Sequence, residues 1–297
     1  MKDFEREIAT YKILEKELTS IVKILLNCTE NIPIYDDLKI SMSFGKRILL
    51  NGYTAYKLCK PEEIMQNKFI FDTSSLFSIV RNIFDSYATF YHIFLFGDSV
   101  ETELRKNLWI LDSLSQRKQY SILNRATTLD PSNKLKIKEL MIHDEMEIVT
   151  VNILIKNNPI FQNFNEKLQK KILSKANWKF DRDNPNFRYS WQKLYDNTNM
   201  KELLFKDMYN HFCSHTHSSF LSLVQNDQLN DDSVQINIRY AINWLIIVYS
   251  FLIKDYSTQY KKIEKHLNSI DARTIILIDK YYKAGKKEVE IVENVVK

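Results

Sequence analysis

The chain reads as an all-α protein, a multi-helix bundle of about eight to ten helices. Only 4 glycines and 5 prolines punctuate 297 residues, so long elements run without interruption. Apolar residues recur at spacings of three and four nearly throughout, the period of a helix with one buried face. No run alternates with the period of a strand. A chain of this length buries a sizeable core, and we expect one helical domain over 1–297. The segment near 177–198 is its only plausible subdomain boundary.

The elements follow in order. Phe4, Ile8, Tyr11, Leu14, Leu18, Ile21, Val22 and Leu25 form one stripe of a long first helix that Asn31 and Pro33 end. A weaker helical stretch runs from about Tyr35 to Leu58, interrupted by Gly45 and Gly52, since glycine inside a helix costs about 1 kcal/mol relative to alanine. From Phe71 to Gly97 lies the most apolar helix, started by Asp72 or Thr73 and closed by Gly97. Its only polar stripe is Ser78, Arg81 with Asn82, Asp85, Thr89 and His92, and that stripe either faces solvent or forms a seam inside the bundle. Asp98 and Glu101 have the spacing of a capping box and open a helix to about Gln119.

Asp130-Pro131 starts the next helix, which Asn158-Pro159 stops. Phe161 to Lys175 reads as a basic amphipathic helix, and 177–189 as a long loop around Asn184-Pro185. Further helices are expected over Ser190–Tyr195, from about Asn199 to Phe220, from Asp232 or Ser233 to about Leu267, and from Asp271 to Lys283 before Gly285. At the centre we expect the helices near 73–96 and 199–220 to pack together.

Composition excludes several classes. Cys28, Cys59 and Cys213 are few, odd in number and widely spaced, which fits a reducing compartment and no disulfide framework. The first residues are charged from the start, unlike a signal peptide. The longest uncharged apolar segment, Tyr240 to Ile253, is shorter than the roughly 18 to 20 residues that span a bilayer. The expectation is therefore a cytoplasmic protein with no membrane partner. The formal charge is +5, and it concentrates between Glu166 and Lys193, where eight bases face three acids. Aromatic residues from Phe161 to Tyr195 interleave with these bases, a composition that suits phosphate contacts and base stacking, with Lys171, Lys175, Lys179 and Arg182 as the RNA-binding candidates. A solvated face whose aromatics anchor a loop explains the same residues.

Reactive side chains are densest over 208–219, which holds three of the 6 histidines. Turned as a helix, Tyr209, Cys213 and His217 share a stripe flanking the apolar face, and Asp207, His211 and His215 share one toward the outside. The latter three have ligand types and spacing for a divalent ion. Two histidines four apart are common without metal, no fourth ligand is evident, and our expectation is no metal and no cofactor.

Arg81-x3-Asp85 on the apolar helix, together with Tyr209-x3-Cys213-x3-His217 on a late one, resembles a family of uncharacterised bacterial all-helical proteins. Those proteins carry Arg-x3-Glu early and Tyr-x3-Ser-x3-His late, and look like distant relatives of the HEPN (higher eukaryotes and prokaryotes nucleotide-binding) domains. Asp85 and Cys213 stand where that family has Glu and Ser. The resemblance covers mainly 70–97 and 200–220 and implies a HEPN-like core in which Arg81, Asp85, Tyr209 and His217 meet. It also implies RNA or a nucleotide as partner, a homodimer, and a role in bacterial defence or toxin systems. HEPN ribonucleases place an Arg four to six residues before a His on one late helix, and no histidine here has one; Arg81 would have to meet His217 in space. An Arg that holds a phosphate and a His that moves a proton suffice for metal-free RNA cleavage. The alternative is a non-enzymatic helical interaction protein in which Arg81, Asp85, Tyr209 and His217 form a structural network.

Overall fold

The computed structural model describes residues 2–33, 36–60, 62–65, 68–119, 131–201, 210–215 and 231–286. Among these the chain is helical almost throughout. The helices are α1 (Lys2–Cys28), α2 (Asp37–Leu58), α3 (Thr73–Phe94), α4 (Ser99–Gln119), α5 (Pro131–Asn157), α6 (Pro159–Gln162), α7 (Glu166–Lys175), α8 (Trp191–Asp196), α9 (Asp231–Gln259), α10 (Lys261–Leu267) and α11 (Ala272–Gly285), with a further helical segment over 210–215. The all-α bundle follows from the periodicity, and short helices such as α6, α8 and α10 raise the count. One hairpin interrupts it: β1 (Glu62–Met65) pairs antiparallel with β2 (Lys68–Ile70), Glu62 opposite Ile70. Strands of three or four residues are too short to show a period of two.

The chain forms two compact units, Met1–Ala88 with Asn199–Lys297, and Thr89–Thr198. One boundary falls after the loop region that drew attention in the sequence. The other lies inside α3, where neither Gly nor Pro marks it.

In the first unit α9 is the core helix, packing against α1, α2, α10 and α11. Ile242, Leu245, Tyr249, Ile253 and Tyr256 are buried on one side of it and Trp244, Val248 and Phe251 on the opposite side, so it is enclosed by its neighbours. By length and composition alone α9 could cross a bilayer, yet 67% of its most apolar window is buried inside the protein. From α1, Tyr11, Leu14, Leu18, Ile21 and Leu25 face inward, the stripe read from the sequence.

Gly45 and Gly52 do not break α2, which is continuous with Asp36 as its N-cap. They let α2 approach α9: a Cβ at Gly45 would sit 2.8 Å from the Tyr256 hydroxyl, and one at Gly52 would overlap the Tyr249 hydroxyl. Tyr256 then donates to the Ser41 carbonyl at 2.6 Å, and Tyr260 to the Ser41 hydroxyl at 2.8 Å. The single helix expected up to Leu267 is two, because Tyr260 takes an extended conformation between α9 and α10. Likewise 199–201 are not helical: Met200 bridges Lys286, and the Lys201 amide donates to the Gly285 carbonyl at 2.8 Å.

In the second unit α4 packs along α5 and α6. The helix expected over 161–175 splits into α6 and α7, each started by an asparagine cap, Asn158 and Asn165. Ala176 closes α7 in the left-handed region, φ 41°, a position that glycine usually takes. The 177–189 segment is ordered by a bridge between Phe180 and Arg188 and by the Tyr189 amide donating to the Lys179 carbonyl at 2.8 Å. Phe180, Trp178 and Tyr189 are buried, so the aromatics anchor this loop to the core.

Candidate functional site

Arg81 and Asp85 lie on the first unit's part of α3, Arg81 Nε 3.8 Å from Asp85 Oδ2. Their side chains keep 15% and 22% of their surface in contact with solvent. The polar stripe therefore has two characters: Arg81 and Asp85 are half-buried and Asn82 is exposed, whereas Thr89 and His92, further along α3, are buried. Phe77 and Phe84, one turn to either side of Arg81, both pack on Phe212, with ring centroids 5.0 and 6.4 Å away. α3 and the 210–215 segment are thus in contact through these rings. Tyr209, His217 and Asp207 lie outside the described residues.

The outward placement of His211 and His215 is corrected. His215 is buried, and both rings lie against Phe77, at 4.9 and 5.0 Å, with 4.9 Å between them. Residues 211, 212 and 215 share one face, and the aromatic surface of Phe77 and Tyr240 draws that face inward. Burial pulls both imidazoles below their ordinary range, His215 to about 4, so both are neutral at pH 7. Cys213 beside them is half-buried and in no disulfide. Among the described residues no three ligand-type side chains are grouped to hold a metal.

The four expected RNA-binding bases are all in the second unit and are not equivalent. Lys171 is exposed, donating to the Asn186 side chain at 3.0 Å, and Lys175 is exposed at the end of α7. Arg182 is half exposed and bound to Asp98 at 2.8 Å. Lys179 departs from the expectation. It is 6% exposed, its ammonium 3.3 Å from the Trp191 ring centre and 4.9 Å from that of Trp178, so it is held by aromatic faces rather than offered to a phosphate.

The second unit also contains a buried polar cluster that the sequence reading missed. Arg105, fully buried, donates to Glu101 and to the Phe96 carbonyl, with its guanidinium 4.7 Å from the Phe96 ring and 5.4 Å from Phe180. Glu101 also lies 3.6 Å from Arg182. Burial raises the Glu101 carboxyl, opposed by these two guanidiniums, and lowers Arg105. Asp98 caps α4 by accepting from the Glu101 amide at 2.9 Å.

His92 faces the Trp178 carbonyl at 3.3 Å through Nε2, and its Nδ1 is buried without a partner. Burial first, and the Arg105 charge second, hold its pKa well below the ordinary value. A carbonyl only accepts, so the neutral ring carries its proton on Nε2 and leaves Nδ1 as a bare acceptor. Burial raises the Tyr189 hydroxyl to about 12, aided by Asp181. The one available signal for this cluster was the i,i+4 spacing of Glu101 and Arg105, which is ordinary on exposed helices. With Arg105 and His92 both at 0% exposure, the cluster fixes the turn after α3 and the loop at 177–189 and does not present itself to a substrate.

The fold and the site define an all-α protein of two compact helical units, one carrying a half-buried Arg-Asp pair beside a histidine-bearing helix. Comparison with protein-family models, with curated proteins and with solved structures returns no significant match for this chain.

Proposed function

We propose that the chain is a HEPN-like RNA-directed protein of a bacterial defence or toxin system, acting in the cytoplasm as a metal-independent endonuclease through Arg81 and His217. The observation that carries this reading is the packing of the two motif helices, Phe77 and Phe84 on Phe212, with Arg81 between those two phenylalanines in sequence. Arg81 is half-buried beside a carboxylate, which suits a guanidinium held in place to receive a phosphate. In the reaction His217 takes the 2′-hydroxyl proton, the 2′-oxygen bonds to phosphorus, the bond to the 5′-oxygen breaks, and the imidazole returns its proton to that oxygen. Tyr209 orients the phosphate and Asp85 holds Arg81. Lys171 and Lys175 supply exposed charge for the RNA backbone.

The test compares wild type with Arg81→Ala and His217→Ala on labelled RNA in EDTA, each variant first shown folded by circular dichroism. Cleavage leaving a cyclic phosphate, and its loss in both variants, is the expected result. Each phosphate contact releases counterion, so RNA affinity should also fall steeply between 50 and 200 mM salt, by about tenfold or more for two or three contacts. A wild type that neither binds nor cuts RNA would install the second reading, a non-enzymatic interaction protein. That reading is favoured by one observation, the apolar outer face of α5.

A further inference from the structure

The outer face of α2 is basic and carries no counter-charge. From Leu38 to Lys60 the chain has five bases and no carboxylate. Gly45 and Gly52 seat the helix against Tyr256 and Tyr249, with Ile48 and Ala55 buried on the same side, so the core fixes the rotation of α2. Its exposed residues beyond the first turn then share one stripe: Lys46, Arg47, Leu50, Tyr53 and Lys57, with Ser43 and Thr54 among them. The stripe occupies about 120° of arc and about 21 Å of helix, and exposed Lys60 follows its end. Among the described residues none of Lys46, Arg47, Lys57 and Lys60 is in an ion pair, whereas Lys12, Arg117, Lys118, Arg239 and Lys254 all are. Glu15, on the neighbouring α1, is taken by Lys12 at 2.6 Å and by the Tyr11 hydroxyl at 2.8 Å.

We propose that this stripe docks α2, lying flat, on an anionic phospholipid surface. Charge complementarity is the first argument, since each base held near an anionic bilayer strengthens binding by about fivefold. Leu50 is the second. It is 56% exposed at the middle of the stripe, with Lys46 and Arg47 one turn before it and Lys57 two turns after. An aliphatic side chain there gains by entering the boundary of the acyl chains, and gains nothing against the charged, hydrated backbone of a nucleic acid. Tyr53 is the third, 49% exposed with the Lys57 ammonium 5.3 Å from its ring centre. Such amphipathic rings settle at the headgroup level of bilayers. The Ser43 and Thr54 hydroxyls donate to the Lys39 and Leu50 carbonyls at 2.9 and 3.0 Å, so neither needs water when the face is covered.

The contact is peripheral. Short apolar runs argue against a helix that spans a bilayer, and say nothing about a helix that rests on one. The inference comes from α2 alone and does not depend on the RNA reading, since neither Arg81 nor Lys171 and Lys175 takes part.

The test is co-sedimentation of the full chain with vesicles of phosphatidylcholine alone and of phosphatidylcholine with about a third phosphatidylserine, the anionic headgroup of the electrostatic case. The chain should pellet with the anionic vesicles only and be released by 0.5 M salt, at which the Debye length falls well below about 8 Å. Lys46→Glu with Lys57→Glu should weaken binding by about a hundredfold or more, with unchanged circular dichroism because both side chains are exposed and in no ion pair. Arg273→Glu with Lys280→Glu, the same change of net charge on exposed positions of α11, should weaken it by less than about fivefold. Leu50→Ser should cost about tenfold and leave the salt dependence as it was, which separates insertion from charge. The same variants are titrated with labelled RNA. A wild type that ignores anionic vesicles, equal binding to neutral ones, or equal losses from the α2 and α11 pairs would each overturn the proposal. So would an α2 pair that loses RNA affinity and keeps vesicle binding, which would assign the face to nucleic acid.

Discussion

The residues that are most informative are charged or polar groups that folding has taken out of water. Asp255 on α9 is 5% exposed, accepts from the Tyr87 hydroxyl at 2.8 Å, and has its carboxyl pushed up to about 7 by burial. Between pH 4 and 7 the native chain keeps a proton there that the unfolded chain releases, so this residue makes stability fall as pH rises through that window. Asp255→Asn should therefore stabilise the protein above pH 7, by up to roughly 4 kcal/mol, and flatten the profile in a series of denaturant melts. His215, lowered to about 4, acts oppositely. As pH drops below 6.5 the unfolded chain gains a proton that the buried ring refuses, so acid destabilises, and His215→Phe should reduce that loss. Arg105 and Glu101 give a third expectation. Glu101→Leu alone strands a buried guanidinium and should cost about 3 to 5 kcal/mol, whereas Arg105→Met with Glu101→Leu should recover most of it. A double-mutant cycle by chemical denaturation checks this directly.

At the scale of the element, glycine is the residue whose meaning changed between sequence and structure. Gly45 and Gly52 look like interruptions of a helix, yet two turns apart on one face they admit the hydroxyls of Tyr256 and Tyr249. Gly52→Ala should destabilise by about 1 to 3 kcal/mol through overpacking, and adding Tyr249→Phe should relieve part of the cost, a coupling that thermal melts of the three variants would show. Gly97 is different in kind. Its φ of 99° is open to glycine at little cost, and a Cβ there would also press on the Glu101 carboxylate. α5 shows the converse of the glycines. Its start at Pro131 and stop before Pro159 were plain in the sequence, but its apolar residues occupy opposite faces, and no periodicity says which face a neighbouring helix will cover.

For the whole molecule, the helical class and most element limits were legible because they rest on local physics. Caps at Asp36, Asn158, Ser190 and Asp271 satisfy backbone amides that a helix start leaves open, whereas the start at Asn165, inside the helix expected over 161–175, was not legible. The core stripe of α1 is simply its 3.6-residue period. The candidate pair Arg81 and Asp85 was visible for the same reason, as two charges interrupting an apolar helix. What required the tertiary structure were facts set by contacts between residues far apart in the chain. The break at Tyr260 accompanies a hydrogen bond to Ser41. The inward turn of His211 and His215 follows from Phe77. Lys179 is committed to Trp191, and the His92-Arg105 cluster is assembled from α3, α4 and the 177–189 loop. Local sequence determines which residues share a face, because that is a matter of backbone geometry over a few residues. Which face is buried, and which buried charge finds its partner, is decided by long-range packing and desolvation, and these have no period to read.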